Sequence, residues 1–369
     1  MNLQRLLIAG GGTGGHIYPG VAIAEEVRRR NPDAKVVFVG TARGLENRIL
    51  PPLGYPLERV TASRLKGGNL LQKMLGLLRL PGAMWQSWRL LRRHRPEVVI
   101  GVGGYASGPA LLAAWLTGRR TAIQEQNAAP GLTNRWLGRV VRKVFVGFAA
   151  AAARFPARKV VVTGNPLRHA LSARLAAVRP AEVAAETFSV LVFGGSQGAR
   201  FLNERVPPVL AALARANRAK RIIVMHQTGE SDLAATEARY QALADSGLSV
   251  DVKPFIHDMP NAYAHADIAV CRAGALTLAE LAAVGLPALL VPFPHAADNH
   301  QEANARVLEK AGAAKVMTQS GWSDDEALAF LSELLTHPER RQTMRDHAAA
   351  LGQRDAARLI VDALEGLAA

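Results

Sequence analysis

Three glycine-rich stretches in this sequence could hold a phosphate or a sugar. GGGTGGH at 10–16 follows an apolar run and ends on His16, VLVFGGSQGA at 190–199 repeats the arrangement at mid-chain, and GVGGYASG at 101–108 adds Tyr105. Consecutive glycines let main-chain N–H groups approach an anion closely, and a following helix adds the positive end of its dipole. His16 closes the first loop at the start of a helix expected near Pro19. There an imidazole could take a proton from a bound hydroxyl near neutral pH, or simply order the turn. In the second loop, Ser196 and the amides of 194–198 make a candidate diphosphate cradle, with a tight packing turn as the plain alternative.

Further polar groups follow other apolar runs. CRAGALTLAE at 271–280 carries Glu280, whose carboxylate could accept two hydrogen bonds from vicinal ribose hydroxyls, although Thr277 and Glu280 also have the spacing of a capping box. PFPHAADNHQEANA at 292–305 clusters Asp298, Asn299, His300, Gln301 and Asn304, and QEQNAAPG at 124–131 places Glu125 and Asn127. Gly10, Gly12 and Gly15 formally satisfy the dinucleotide pattern G-x-G-x-x-G. The acidic residue expected about 20 residues on is missing, since the second apolar run leads into Gly40-Thr41-Ala42-Arg43, and this disfavours a nicotinamide enzyme. The sequence also lacks a P-loop, an H-E-x-x-H motif and an Asp-x-Asp pair for a diphosphate-bound metal, so no cofactor or metal is expected.

The elements that must position these residues alternate in type. Short apolar runs at 5–9, 35–39, 98–102, 120–124, 143–146 and 159–162 read as strands separated by helical patterns. The series restarts at 189–193, 221–226, 249–252, 268–271, 288–291 and 314–317. Strands apolar nearly throughout belong to parallel sheets covered on both faces, so an α/β class with two doubly wound, Rossmann-like domains is expected. The turn Gly164-Asn165-Pro166 marks a boundary between domains 1–164 and 165–354. Residues 355–369 form an amphipathic helix expected to pack back on the first domain.

Charge divides at the same place. The chain of 369 residues has a formal charge of +15, made of +18 in 1–164 and −3 in 165–369. A strongly basic half attracts phosphate-bearing surfaces, but with no reading module or aromatic platform nucleic acid is not the expected partner. A lone Cys271 excludes an internal disulfide, and neither a signal peptide nor a spanning segment is expected.

Taken in order, GGGTGGH, GVGGYASGPA, EQNAAPGLTN, TGNPLR, FGGSQGARFLN, PFI, CRAGALTLAE and DNHQEANA resemble the MurG family of peptidoglycan glycosyltransferases over about residues 6–314. The resemblance implies the GT-B fold, two Rossmann-like domains facing an interdomain cleft. It also implies transfer of N-acetylglucosamine from UDP-N-acetylglucosamine to undecaprenyl-diphosphate-linked N-acetylmuramyl-pentapeptide. Another membrane lipid acceptor is the alternative. The donor contacts it implies are Thr13, Gly14, Gly15, Asn127, Arg168, Ser196, Ile256, Ala275, Leu276, Thr277, Leu278, Ala279, Glu280 and Gln301. Ile256 would offer main-chain groups to the uracil, Glu280 would take the ribose, and Ser196 would face the phosphate. The acceptor side would comprise His16, Tyr105 and Asn127, with His16 as catalytic base or diphosphate stabiliser. His300 departs from the glutamine expected at its position.

An acceptor anchored in lipid gives one more segment a meaning. Within 65–95, Leu71, Leu75 and Leu78 share one helical face and Met84, Trp88 and Leu91 another beyond Pro81, with lysines and arginines around them. Apolar residues ringed by cations suit an anionic interface, so this patch is expected to sit on the cytoplasmic leaflet of the bacterial inner membrane as a peripheral contact. Proteins of a cell-wall or division complex would be further partners there.

Overall fold

A computed structural model describes residues 2–62, 70–177 and 186–369, and among these the side chains of all but 70–79 and 176–177. The chain divides into two compact units, Met1–His169 with Gln353–Ala369, and Ala170–Gly352.

In the first unit seven parallel strands, β1 (Arg5–Ala9), β2 (Lys35–Gly40), β3 (Leu57–Arg59), β4 (Val98–Gly101), β5 (Arg120–Glu125), β6 (Lys143–Val146) and β7 (Val160–Val162), pair in the order β3-β2-β1-β4-β5-β6-β7. Successive side chains of a strand point to opposite faces. Leu6 and Ile8 therefore join Val36, Phe38 and Ile100 on one face, while Leu7 and Ala9 join Val39, Val99 and Leu111 on the other. Both faces are dry, so the strands read as apolar runs rather than alternations. β3 was not expected from sequence, because Leu-Glu-Arg at a partly exposed edge carries no apolar run.

The C-terminal helix Ala356–Ala368 belongs to this unit. Ile360, Val361 and Leu364 are fully buried with Val21, Ala24 and Val27 of the helix Gly14–Arg30. Arg30 adds ion pairs to Glu26 (2.7 Å), Asp362 (2.7 Å) and Glu365 (2.9 Å). Asn165 of the Gly-Asn-Pro turn is buried in the same unit, accepting from Gln124 Nε2 and donating to the Gln126 carbonyl, each at 3.0 Å.

In the second unit β8 (Thr187–Phe193), β9 (Arg221–Gln227), β10 (Ser249–Lys253), β11 (Ile268–Cys271), β12 (Ala288–Leu290) and β13 (Ala314–Val316) pair in parallel as β10-β9-β8-β11-β12-β13. Val190, Val192, Ile222 and Val224 pack there against Leu202, Val206 and Leu210 of the helix Arg200–Ala216. Each sheet thus reverses its winding beside its first strand. The loops leaving β1 and β4, and those leaving β8 and β11, lie side by side at the strands' carboxyl ends, where such sheets bind ligands.

Two helices differ from expectation. The first begins at Gly14, five residues before Pro19, so His16 lies inside its first turn. Pro19 is the sixth residue of this helix and has no N–H, so the Gly15 carbonyl lacks its i+4 donor there. The helix Leu70–His94 runs unbroken through Pro81.

Candidate active site

The first glycine loop is built by interlocking with the third. Gly11 N donates to the Gly103 carbonyl at 3.2 Å, and Gly104 approaches so closely that a Cβ there would stand 2.3 Å from the Gly11 carbonyl oxygen. Gly103, at φ +94°, lies against the imidazole of His16, and a Cβ would meet its Cδ2 at 2.8 Å. The ring is half-buried, and its Nδ1 donates to the Gly11 carbonyl at 3.3 Å. Thr13 and Gly15 are exposed around it, and Tyr105 stands 41% exposed on the neighbouring loop.

Beyond β5, Glu125 organises the loop that carries Asn127. Its Oε1 accepts from Asn127 N (2.9 Å) and Nδ2 (3.2 Å), and its Oε2 from Gly131 N (3.2 Å) and Asn134 Nδ2 (2.9 Å). Burial pushes this carboxyl above the usual carboxylate range against the pull of those four bonds. Arg168 lies in the same unit with its guanidinium 5.1 Å from the centre of the Tyr18 ring.

In the second unit the loop after β8 is exposed at Gly195, Ser196 and Gln197, and nothing lies within 4 Å of where a Gly195 Cβ would be. Its far end is clamped. A Cβ on Gly198, at φ +74°, would fall 1.7 Å from the Thr228 carbonyl oxygen, and one on Gly229 2.1 Å from that of Gln197. Gln227, which lies just past the apolar run 221–226 and carries no motif, ties this loop to the one after β10. Its Nε2 donates to the Gly195 carbonyl (2.7 Å) and its Oε1 accepts from Ile256 N (2.8 Å). The Ile256 N–H is therefore engaged inside the protein, and a uracil bond at this residue would fall to its carbonyl.

The loops after β11 and β12 are joined similarly. Gln301 Oε1 accepts from Ala273 N (3.2 Å) and Phe293 N (3.0 Å), and Arg272 donates to the carbonyls of Val291 (3.0 Å) and Pro292 (3.1 Å). Burial lowers the Arg272 guanidinium to about 10, which leaves it charged at neutral pH. The helix Ala275–Val284 starts from Gly274, so Thr277 sits within the first turn and no side chain caps it. The capping-box alternative is thus removed. Glu280 instead accepts from the Tyr263 hydroxyl at 2.7 Å, and burial followed by the Glu280 charge hold that phenol well above its ordinary range, keeping it a donor. Ala275, Leu276, Thr277 and Ala279 line the start of this helix. Leu278 is 1% exposed, and its N–H closes the first turn on the Gly274 carbonyl, so its side chain serves the core. His300 Nδ1 donates to the Ala297 carbonyl at 2.6 Å. Asp298 and Asn299 before it are both left-handed, at φ 55° and 53°.

Among the described side chains of the helix Leu70–His94, Ala83, Ser87 and Leu91 are buried, which turns Leu91 away from the surface face expected for it. Met84 is half-buried, while Trp85 and Trp88 are exposed beneath the guanidinium groups of Arg89 (4.9 Å) and Arg92 (5.0 Å). Leu71, Leu75 and Leu78 fall outside the residues whose side chains are described. Among the described residues no helix is long and apolar enough to cross a membrane, and no group of three His, Cys, Asp or Glu side chains is placed to hold a metal ion.

Comparison with known proteins agrees with this architecture. Residues 6–146 match the glycosyltransferase family 28 N-terminal domain and 189–360 its C-terminal domain. Proteins named UDP-N-acetylglucosamine--N-acetylmuramyl-(pentapeptide) pyrophosphoryl-undecaprenol N-acetylglucosamine transferase are similar from end to end. The one from Myxococcus xanthus is 49% identical, covering 98% of this chain and 92% of its own, and that from Anaeromyxobacter sp. Fw109-5 is 51% identical over 97% and 92%. Among solved structures, Acinetobacter baumannii MurG superposes with a TM-score of 0.80 at 34% identity, covering 98% of this chain and 99% of its own. The Neisseria meningitidis UDP-GlcNAc 2-epimerase, at a TM-score of 0.68 and 15% identity over 98% and 100%, shares the fold alone.

Proposed function

The chain belongs to the MurG family within glycosyltransferase family 28, and from that premise we propose that it moves N-acetylglucosamine from UDP-N-acetylglucosamine to the C4 hydroxyl of undecaprenyl-diphosphate-linked N-acetylmuramyl-pentapeptide. The observation that carries this reading is the 51% identity, across 97% of the chain, to a relative bearing that name. The acceptor oxygen attacks the anomeric carbon from the face opposite UDP, the C1–O bond to the diphosphate breaks, and the configuration inverts. The hydroxyl proton goes to His16, whose Nδ1 is committed to the Gly11 carbonyl, so that Nε2 is the accepting nitrogen. Charge grows on the departing diphosphate. The amides around Ser196, the N-terminus of the helix Ala275–Val284 and Arg168 are the groups assigned to offset it.

Glu280, aimed by Tyr263, takes the ribose hydroxyls, and Gln301 presents its amide to the sugar while its oxygen holds two loops together. Tyr105 and Asn127 serve the acceptor. Trp85, Trp88 and Met84, with their arginines, rest on the anionic cytoplasmic leaflet and bring the acceptor unit to its lipid-linked substrate. A radiolabel transfer assay with donor and lipid-linked muramyl-pentapeptide tests the activity. Label moving into the lipid phase, with or without a chelator, is the expected result, and label remaining with the nucleotide sugar in both overturns it.

A further inference from the structure

Glu46 reaches the first glycine loop from outside it. It opens the short helix Glu46–Ile49 after β2 and is completely buried. Among the described residues no cation pairs with it; its carboxylate accepts from Gly12 N (2.7 Å), Thr41 N (2.8 Å) and Thr41 Oγ1 (3.1 Å). A charge taken out of water must be met by fixed donors, and these three meet it. Glycine makes the space: a Cβ at Gly11, Gly40 or Gly44 would stand 2.5, 2.6 or 1.9 Å from the Glu46 side chain. Three separate glycines are thus used to admit one carboxylate.

The amide that Glu46 grips belongs to the Gly11–Gly12 peptide, and the carbonyl of that same peptide accepts the His16 Nδ1 proton. A carbonyl oxygen only accepts, so Nδ1 carries the hydrogen and the neutral ring has its lone pair on Nε2. Pulling on the N–H end of a peptide strengthens its C=O end as an acceptor, because hydrogen bonds in a chain polarise one another. The peptide plane cannot turn freely either, since Gly11 N is bonded to Gly103 and Gly104 packs on the Gly11 carbonyl.

We propose that Glu46 is the positioning residue of His16, acting through the Gly11–Gly12 peptide to fix the Nδ1–H tautomer and the direction of Nε2. It does what a carboxylate bonded directly to a histidine does, with one peptide group in between. The proposal rests on the reading of His16 as proton acceptor for its role in turnover, but not for the tautomer itself.

The experiment is nitrogen NMR of protein labelled in its histidine rings, recorded where the rings are neutral, with the His16 signals identified by their loss in His16→Gln. Wild-type His16 is expected to carry its proton on Nδ1. Glu46→Gln, which removes the charge and sets an N–H against one of the donors, is expected to bring in the Nε2–H form and to lower kcat about tenfold while the donor KM stays within twofold. A wild-type ring protonated on Nε2 overturns the proposal even if the variant does not fold. An unchanged tautomer in folded Glu46→Gln overturns it too, as does a raised donor KM with kcat intact. Should His16→Ala turn over normally, the base assignment fails by itself, and the tautomer result still decides what Glu46 does.

Discussion

The two glycine loops begin alike, each leaving the first strand of a parallel sheet for a helix, and they end as opposites. In the first, the Gly12 amide already has an anion, the buried carboxylate of Glu46, and the loop is packed against Gly103 and Gly104. In the second, residues 195–197 face solvent, and the protein holds only the ends, through Gln227 and the interlocked Gly198 and Gly229. The same local sequence signal therefore builds a rigid mount for one side chain in one unit and, in the other, an open loop proposed as the cradle for a ligand. What separates them is whether the fold supplies its own anion. A loop whose amide is filled from within keeps a histidine in place, and the loop left open is the one proposed above to receive the diphosphate.

The largest effects should divide along that line. His16→Ala is expected to lower kcat by roughly 10²–10⁴, as loss of a general base does, with the donor KM little changed. Glu280→Ala should do the converse, raising the donor KM some 10–100-fold with a much smaller change in kcat, since hydrogen bonds to a charged group contribute roughly 1.5–3 kcal/mol each. Steady-state kinetics with donor and acceptor varied separately checks both. If His16→Ala chiefly weakened donor binding, or Glu280→Ala chiefly slowed turnover, the two units would not be specialised as proposed.

A smaller effect sharpens the comparison. Gln227→Ala removes the tie between the Gly195 carbonyl and the Ile256 amide and leaves a buried N–H unpaired, at a cost of roughly 1–3 kcal/mol. A donor KM raised about five- to tenfold together with a lowered Tm is expected. UDP restoring part of the lost Tm would place the damage in the open cradle, whereas a Tm loss that UDP leaves untouched would mean Gln227 serves the fold alone.

How much of this could be read in the sequence follows from which interactions are local. The strands were legible because both sheets are covered on both faces, and the glycine loops because a strand-to-helix turn leaves its mark within a few residues. Glu46 was not, because in TARGLENR it looks like any polar loop residue. Its burial arises only when the end of β2 folds against Gly11, about 35 positions earlier. Gln227 was hidden for a similar reason, its two partners lying 32 residues before it and 29 after. The helix start at Gly14 was missed because Pro19 is a strong local signal for a helix start, whereas here Pro19 lies inside the helix. Thr277 and Glu280 had capping-box spacing, but Gly274 begins the helix earlier and frees Glu280 for Tyr263. Reading from spacing finds the elements and the loops; the side chains that bridge loops need the fold.

The smallest effect concerns surface rather than loops, and it follows from the division of charge, +18 in residues 1–164 against −3 in 165–369. Arg92 lies over the exposed ring of Trp88 on the helix Leu70–His94, and in the proposed membrane contact it would be the cation that meets lipid phosphates. A basic residue near an anionic bilayer contributes on the order of 1 kcal/mol, about a fivefold change in partitioning. Arg92→Gln is therefore expected to weaken co-sedimentation with phosphatidylglycerol-containing vesicles about fivefold. Arg205→Gln, in the second unit and similarly exposed, should change nothing. Salt should weaken the wild type's binding because the contact is a screened surface attraction, and neutral vesicles should bind little. Equal losses from both substitutions would show that the excess charge of the first unit acts on the membrane only as part of the whole protein's field. Equal binding to neutral and anionic vesicles would leave the arginines without a role at the bilayer and the tryptophans as its sole contact.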